Sequence, residues 1–217
     1  MVQCPSCARL SEPRLVCSQC GGPLAVETDC FTALGLSRKL VIAPVALERA
    51  YHDLSRRIHP DRFASSPPQI RDASLRGTAL LTRSYRTLRD PVSRGIYWLE
   101  LNGKKLNQHN NRVRPELAEL VFAVQEQLAE LRAARSDGSA EVGELATGIA
   151  QKRSEIAGLI DETVSELLRN FERWDANSEG DDGTVLGEEL KAILSRIAYL
   201  RTLIRDVDRE LEDAKAA

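Results

Sequence analysis

Four of the chain's five cysteines open it in two pairs, Cys4-Pro-Ser-Cys7 and Cys17-Ser-Gln-Cys20, with nine residues between the pairs and Gly21-Gly22 after the second. Two residues between cysteines let both sulfurs of a pair face one ion while turn N–H groups point at them, and a glycine after the pair allows a tight turn. Two such pairs make a closed Cys₄ site for structural zinc, replacing the core that residues 1–24 are too short to build. Redox chemistry and iron ligation are the weaker alternatives. Four sulfur ligands leave no open position for catalysis. Cys30, the odd one, reads as a small buried apolar residue. A disulfide framework is disfavoured, because the remaining residues supply a core without bridges.

His59-Pro60-Asp61 is the second place where residue types could do chemistry. Pro60 fixes φ and removes a donor, so the corner keeps its shape while His59 and Asp61 stay free to meet another surface. As a bare tripeptide it is equally a helix stop with two solvated side chains. A hydrolytic His/Asp pair has no placed nucleophile. The three histidines, His52, His59 and His109, have no metal-ligand spacing, and no Gly-rich phosphate loop occurs. The chain does not read as an enzyme. Arg49 and Arg56 are seven residues apart, hence on one helix face, with Arg57 beside them. That face would attract an acidic partner.

The elements that must hold these residues are helical. Asp29 suits the N-cap of a short helix from Cys30 to Gly35. A second helix runs over 44–58, with Pro44 in its first turn and Leu47, Tyr51, Leu54 and Ile58 as its stripe, and Pro60 ends it. A loop at Ser65-Ser66-Pro67-Pro68 leads to a helix with Ile70, Gly77, Leu81, Tyr85 and Leu88 on one side, where Gly77 marks a close contact. Asp90-Pro91 caps a fourth helix that closes at Asn102-Gly103. Residues 112–217 carry three long patterns separated near 136–139 and 175–183. They comprise Leu117, Leu120, Val124, Leu128 and Leu131; Leu145, Ile149, Ile156, Ile160, Leu167, Phe171 and Trp174; and Leu186 to Leu211 at coiled-coil spacing. Short connections imply an antiparallel three-helix bundle. The last seam either stays within the chain or supports a homodimer.

Formal net charge is −2, but residues 1–30 hold 2 basic and 3 acidic side chains, residues 31–105 hold 14 and 6, and residues 106–217 hold 14 and 23. A basic middle beside an acidic C-terminal half implies separate surfaces with separate partners. The longest apolar stretch, Leu40–Leu47, is far short of the ~20 residues a membrane span needs. With no export or organelle leader in the opening residues, the expected compartment is the cytoplasm.

Tyr51 to Phe63, running through Arg56-Arg57-Ile58-His59-Pro60-Asp61, resembles the J-domain, whose basic second helix ends in a His-Pro-Asp loop. Ala79 to Leu99 is similar to the family's third helix, its Tyr85-Leu88-Asp90-Pro91 junction and its fourth helix, and Asp29 to Leu36 to its first. With Phe63 two residues after the corner and an acidic bundle behind, the chain resembles HscB-type co-chaperones of iron–sulfur cluster assembly, some of which carry a tetracysteine module. The fold class so implied is all-α: a zinc-knuckle module at 1–24, a J-domain helical hairpin at 29–105 and a C-terminal three-helix bundle at 112–217.

The resemblance further implies docking on a DnaK/HscA-type chaperone through His59, Pro60, Asp61, Arg49, Arg56, Arg57 and Arg62, stimulation of its ATPase, and delivery of the iron–sulfur scaffold protein. Phe122, Glu126, Glu130 and Tyr199 match its scaffold-binding positions, whereas Ala118, Glu119 and Ala123 stand where larger apolar or acidic residues are expected. Phe122, Glu126 and Glu130 share a face distinct from the apolar stripe; core packing is the alternative for Phe122 and Tyr199. Competing readings are a J-protein serving other clients and a zinc-ribbon nucleic-acid binder. The overall acidity, and a cysteine segment with only Arg9 and Arg14 and no aromatic residue, disfavour nucleic acid.

Overall fold

Proline is the first residue of four of the seven helices described, where its missing N–H costs nothing. The computed structural model describes residues 1–104, 106, 115–177 and 182–215; His109 lies outside these. The chain divides into two compact units, one comprising Met1–Asn102 with the end of the sixth helix from Phe171, the other the remaining helices.

In the first unit α1, Cys30–Leu34, is capped by Asp29, which accepts from the N–H groups of Phe31 and Thr32, and ends on Gly35 at φ 69°. Helix α2, Pro44–Ile58, meets Pro60 and gives way to a single 3₁₀ turn, Pro60–Phe63. Helix α3, Pro68–Arg89, and α4, Pro91–Leu101, are separated only by Asp90, whose carboxylate caps Ser93. The rings of Tyr51 and Tyr85 stack 4.3 Å apart and tie α2 to α3.

The four expected helices of this unit are present, with α3 starting at Pro68 inside the expected loop, but the buried face of α3 is wider than its stripe. Ala73, Ser74 and Ser84 are buried beside Gly77, Leu81 and Leu88, whereas Ile70 and Tyr85 are only half-buried. Small side chains let neighbouring elements approach here. Gly77 does mark a close contact: a Cβ on it would meet Ile58 Cδ1 at 3.4 Å, Leu24 O at 3.7 Å and Leu15 Cδ2 at 3.8 Å. Two of these come from the cysteine segment, which packs on the helices.

The last turns of α6, Val142–Ala176, complete this unit. Asp175 accepts from the backbone N–H groups of Leu40 (2.9 Å) and Val41 (2.7 Å), which no local partner serves. Trp174 meets the Trp98 ring edge-on at 6.1 Å. Cys30 is buried, and its N–H donates to the Tyr97 hydroxyl at 2.9 Å.

The second unit holds α5, Pro115–Ser136, the body of α6, and α7, Asp182–Lys215. Leu117, Val124, Leu128, Leu131, Ile149, Ile156, Leu200, Leu203 and Val207 form one core, which takes up the C-terminal half of the α7 seam; Leu186, Leu190, Ile193 and Ile197 are buried as well. Glu210 is 7% exposed, held by Arg132 and Arg135 of α5 at 2.8 and 3.1 Å. Arg153–Asp208 and Arg196–Glu166 bridge α6 and α7.

Candidate functional site: a tetracysteine knuckle and a polar corner

The cysteine segment is built as two matching knuckles. Ala8 N–H donates to Cys4 O and Gly21 N–H to Cys17 O; Cys4 N–H donates to Arg9 O and Cys17 N–H to Gly22 O. Both knuckles end in the left-handed region, Gly21 at φ 72° and Ala8 at 59°, so Ala8 takes a conformation that favours glycine. Strands β1, Val2–Gln3, and β2, Leu10–Ser11, pair around the first. A bridge between Val16 and Pro23 and a bond from Leu24 N–H to Leu15 O close the second.

The four sulfurs converge within 4.8 Å of one another, with Cys4 to Cys20 at 3.6 Å and Cys7 to Cys17 at 3.9 Å. Metal–sulfur bonds of about 2.3 Å in a tetrahedron put its sulfurs about 3.8 Å apart, so the set fits a closed four-sulfur ion. Ser6 N–H points at the Cys4 sulfur and Gln19 N–H at that of Cys17, each at 3.4 Å. The N–H groups of Cys20 and Gln19 pull the Cys17 thiol down to about 6. Cys20, in spite of the Gly22 N–H, is pushed up to about 12 by burial and the neighbouring thiols. The Cys17 sulfur is thus ready as thiolate, and that of Cys20 needs the charge of an ion to deprotonate.

The polar corner is rigid and open. Helix α2 delivers Ile58 into the core, fully buried, and its carbonyl accepts from the Ser74 hydroxyl at 2.6 Å and that of Thr78 at 3.4 Å. The next residue turns out. His59 Nδ1 accepts from Asp61 N–H at 3.3 Å and lies 3.5 Å from the Asp61 carboxylate. The side chains of His59 and Asp61 are 50% and 90% exposed. Arg62 donates to the Arg56 carbonyl at 2.8 Å, covering an orphan acceptor at the end of α2.

Arg49, Arg56, Arg57 and Arg62 are all exposed. Asp53, which the sequence reading passed over, pairs with Arg56 at 2.6 Å. Arg49 and Arg57 have no carboxylate partner among the described residues. Beside Pro60 a groove of about 510 Å³ runs along α3, lined by Leu75, Thr78, Ala79, Thr82, Arg83 and Arg86. Leu75 is 58% exposed there. Sequence reasoning missed this groove because alternating small and basic residues carry no motif.

In the second unit Phe122 is 71% exposed, and Glu126 and Glu130 are exposed on the same helix, α5. Tyr199 is half-buried and packs against the bundle core. Phe122 is therefore not a core residue, whereas Tyr199 shares that role.

No family model matches the chain. Over 86 residues it is 40% identical to a co-chaperone protein HscB homolog of Aromatoleum aromaticum, covering 40% of this chain and 49% of that protein. Over 140 residues it is 28% identical to an iron-sulfur cluster co-chaperone protein HscB homolog of Arabidopsis thaliana, covering 64% and 54%. The chain thus spans about half the length of these relatives. The crystal structure of human co-chaperone protein HscB superposes with a TM-score of 0.71 at 23% identity over 95% of this chain and 97% of that one. Chaperone HscB from Vibrio cholerae gives 0.56 at 22%, over 85% and 99%. The chain resembles HscB co-chaperones in sequence and has their fold, a helical J-domain followed by a helical bundle.

Proposed function

We propose that the chain is a non-catalytic co-chaperone of iron–sulfur cluster assembly in the cytoplasm, with a zinc module at 1–24, a J-domain at 29–105 and a scaffold-binding bundle at 112–217. The observation that carries the reading is the corner: exposed His59 and Asp61, fixed by Pro60 and a 3₁₀ turn at the end of a basic helix. In this reading His59, Pro60 and Asp61, with Arg49, Arg56, Arg57 and Arg62, dock on a DnaK/HscA-type chaperone of the heat-shock-70 class and stimulate its ATPase. The unpaired Arg49 and Arg57 steer the approach to an acidic surface.

Phe122, Glu126 and Glu130, with Tyr199 as a partly buried anchor, hold the scaffold protein. An apolar ring 71% exposed on a bundle face has no packing role to perform, which favours this over clients bound elsewhere. Zinc on Cys4, Cys7, Cys17 and Cys20 is structural.

Steady-state ATPase assays of the chaperone, with and without scaffold protein, test the reading. Stimulation that disappears in His59→Gln at unchanged helical circular dichroism supports it; stimulation that survives the substitution overturns it. Pull-down of the scaffold by wild type and not by Phe122→Ser supports the client assignment, and equal capture overturns it.

A further inference from the structure

The second knuckle is the turn of a short hairpin. Its arms bring Leu15 and Leu24 side by side, joined by the bond from Leu24 N–H to Leu15 O at 3.0 Å, and both side chains are 1% exposed. Leu24 forms one apolar cluster with Cys4 and Cys17. Leu15 Cδ2, Leu24 O and Ile58 Cδ1 converge over the bare backbone of Gly77, each within 3.8 Å of the place a Cβ would occupy. Ile58 immediately precedes His59, and its carbonyl is held by Ser74 and Thr78, the residues that flank Gly77 on the same stretch of α3. The metal ligands thus share an apolar cluster with Leu24, and Leu24 and its neighbour Leu15 share the space over Gly77 with the residue that anchors the corner.

We propose that the tetracysteine module is a metal-dependent buttress of the His59-Pro60-Asp61 corner, with Leu15 and Leu24 as positioning residues that seat Ile58. A two-bridge hairpin has no stability of its own in water, so the ion keeps its arms together. When the ion leaves, the arms separate, the seat over Gly77 opens, and the apolar grip on Ile58 is lost while its two hydroxyl bonds remain. The corner then samples more than one geometry without unfolding of the bundle. The functional meaning of this coupling rests on the docking role of the corner; the coupling itself is a property of the chain.

The test is amide hydrogen exchange on the full chain, loaded with zinc(II), then stripped with a chelator that is removed before measurement, then reloaded. Stripping is expected to speed exchange of the Asp61 and Arg62 amides and of α3 around Gly77 at least tenfold, leave α5 unchanged, and reverse on reloading. Leu15→Ala, which keeps all four cysteines and its full metal content, is expected to speed the same amides by a smaller factor; Leu24→Ala serves if that variant does not fold. Unchanged exchange at 58–63 in a chain that has lost its metal overturns the proposal, as does Leu15→Ala and Leu24→Ala protein indistinguishable from wild type. Parallel ATPase assays separate the two readings. Metal-sensitive exchange without stimulation by the loaded chain sinks docking and leaves the buttress standing, whereas stimulation with metal-insensitive exchange does the reverse.

Discussion

The two units hold their helices by opposite means. In the first, helices of 5 to 22 residues stop at Gly35, Pro60 and Asp90, and their loose ends are closed by polar groups: Asp29 on α1, Ser74 on α2, Asp90 on α4 and Asp175 on the chain before α2. In the second, helices of 22 to 35 residues run through one apolar seam and are cross-tied by arginine–carboxylate pairs. The contrast teaches where function can sit cheaply. A unit made of stops exposes polar side chains at the stops themselves, as at His59 and Asp61. A unit made of seams has only its outer helix faces to offer, as at Phe122.

Substitutions that separate the two strategies sharpen the comparison. The largest stability loss is expected from Leu128→Ala in the bundle seam. Deleting a fully buried side chain there costs about 2–5 kcal/mol by denaturant titration and speeds exchange in α5 to α7, with α2 and α3 unaffected. Equal acceleration in both units would mean that they do not stand on separate cores.

Next is Glu210→Ala, which strands two arginines. Because Arg132 is 47% exposed, the loss is nearer about 2 kcal/mol than the larger cost of a fully buried pair. Calorimetry that finds no change would demote the pair to a surface ornament.

Third comes a polar stop, Asp29→Ala. Burial opposes the Asp29 charge, but hydrogen bonds from Arg38 and Thr32 hold its carboxyl down to about 2. A depressed carboxyl stabilises the fold above its ordinary value near 4 and loses that contribution as pH falls toward about 2. The wild type is therefore expected to exceed Asp29→Ala by about 1–2 kcal/mol at pH 7, with the gap closing between pH 4 and pH 2. A gap independent of pH would remove the charge from the account. Smallest is Phe122→Ser, whose exposed ring predicts a stability change within about 0.5 kcal/mol alongside loss of scaffold capture. A large destabilisation would return Phe122 to a packing role.

Legibility follows the same divide. Pro44, Pro60, Pro91 and Gly35 act on the backbone of their own neighbourhood, so α1, α2 and α4 could be read almost to the residue, while α3 takes in Pro68 from the expected loop. The bundle stripes were equally plain because burial at 3.5-residue spacing is local in sequence. What escaped was action at a distance. Asp175 looked like the start of a loop, yet it lies in the last turn of α6 and serves amides more than 130 residues away. The expected α3 stripe left out Ser74 and Ser84, which are buried, because the tie from Ser74 to the end of α2 exists only once the helices have met. At the site, sulfur spacing announced the metal set. The seat that Leu15 and Leu24 form over Gly77 required three segments to be folded together before it existed.

The Asp175 clamp also bears on how the molecule can be divided. A fragment ending at residue 104 would contain every helix of the first unit named by its motif, yet it would leave the Leu40 and Val41 amides to water and strip Trp98 of the Trp174 edge. The self-sufficient piece that carries the corner is discontinuous in sequence, and its last strut is made only after the first two helices of the bundle have been synthesised. An N-terminal fragment would therefore carry the corner on a scaffold missing one of its own supports.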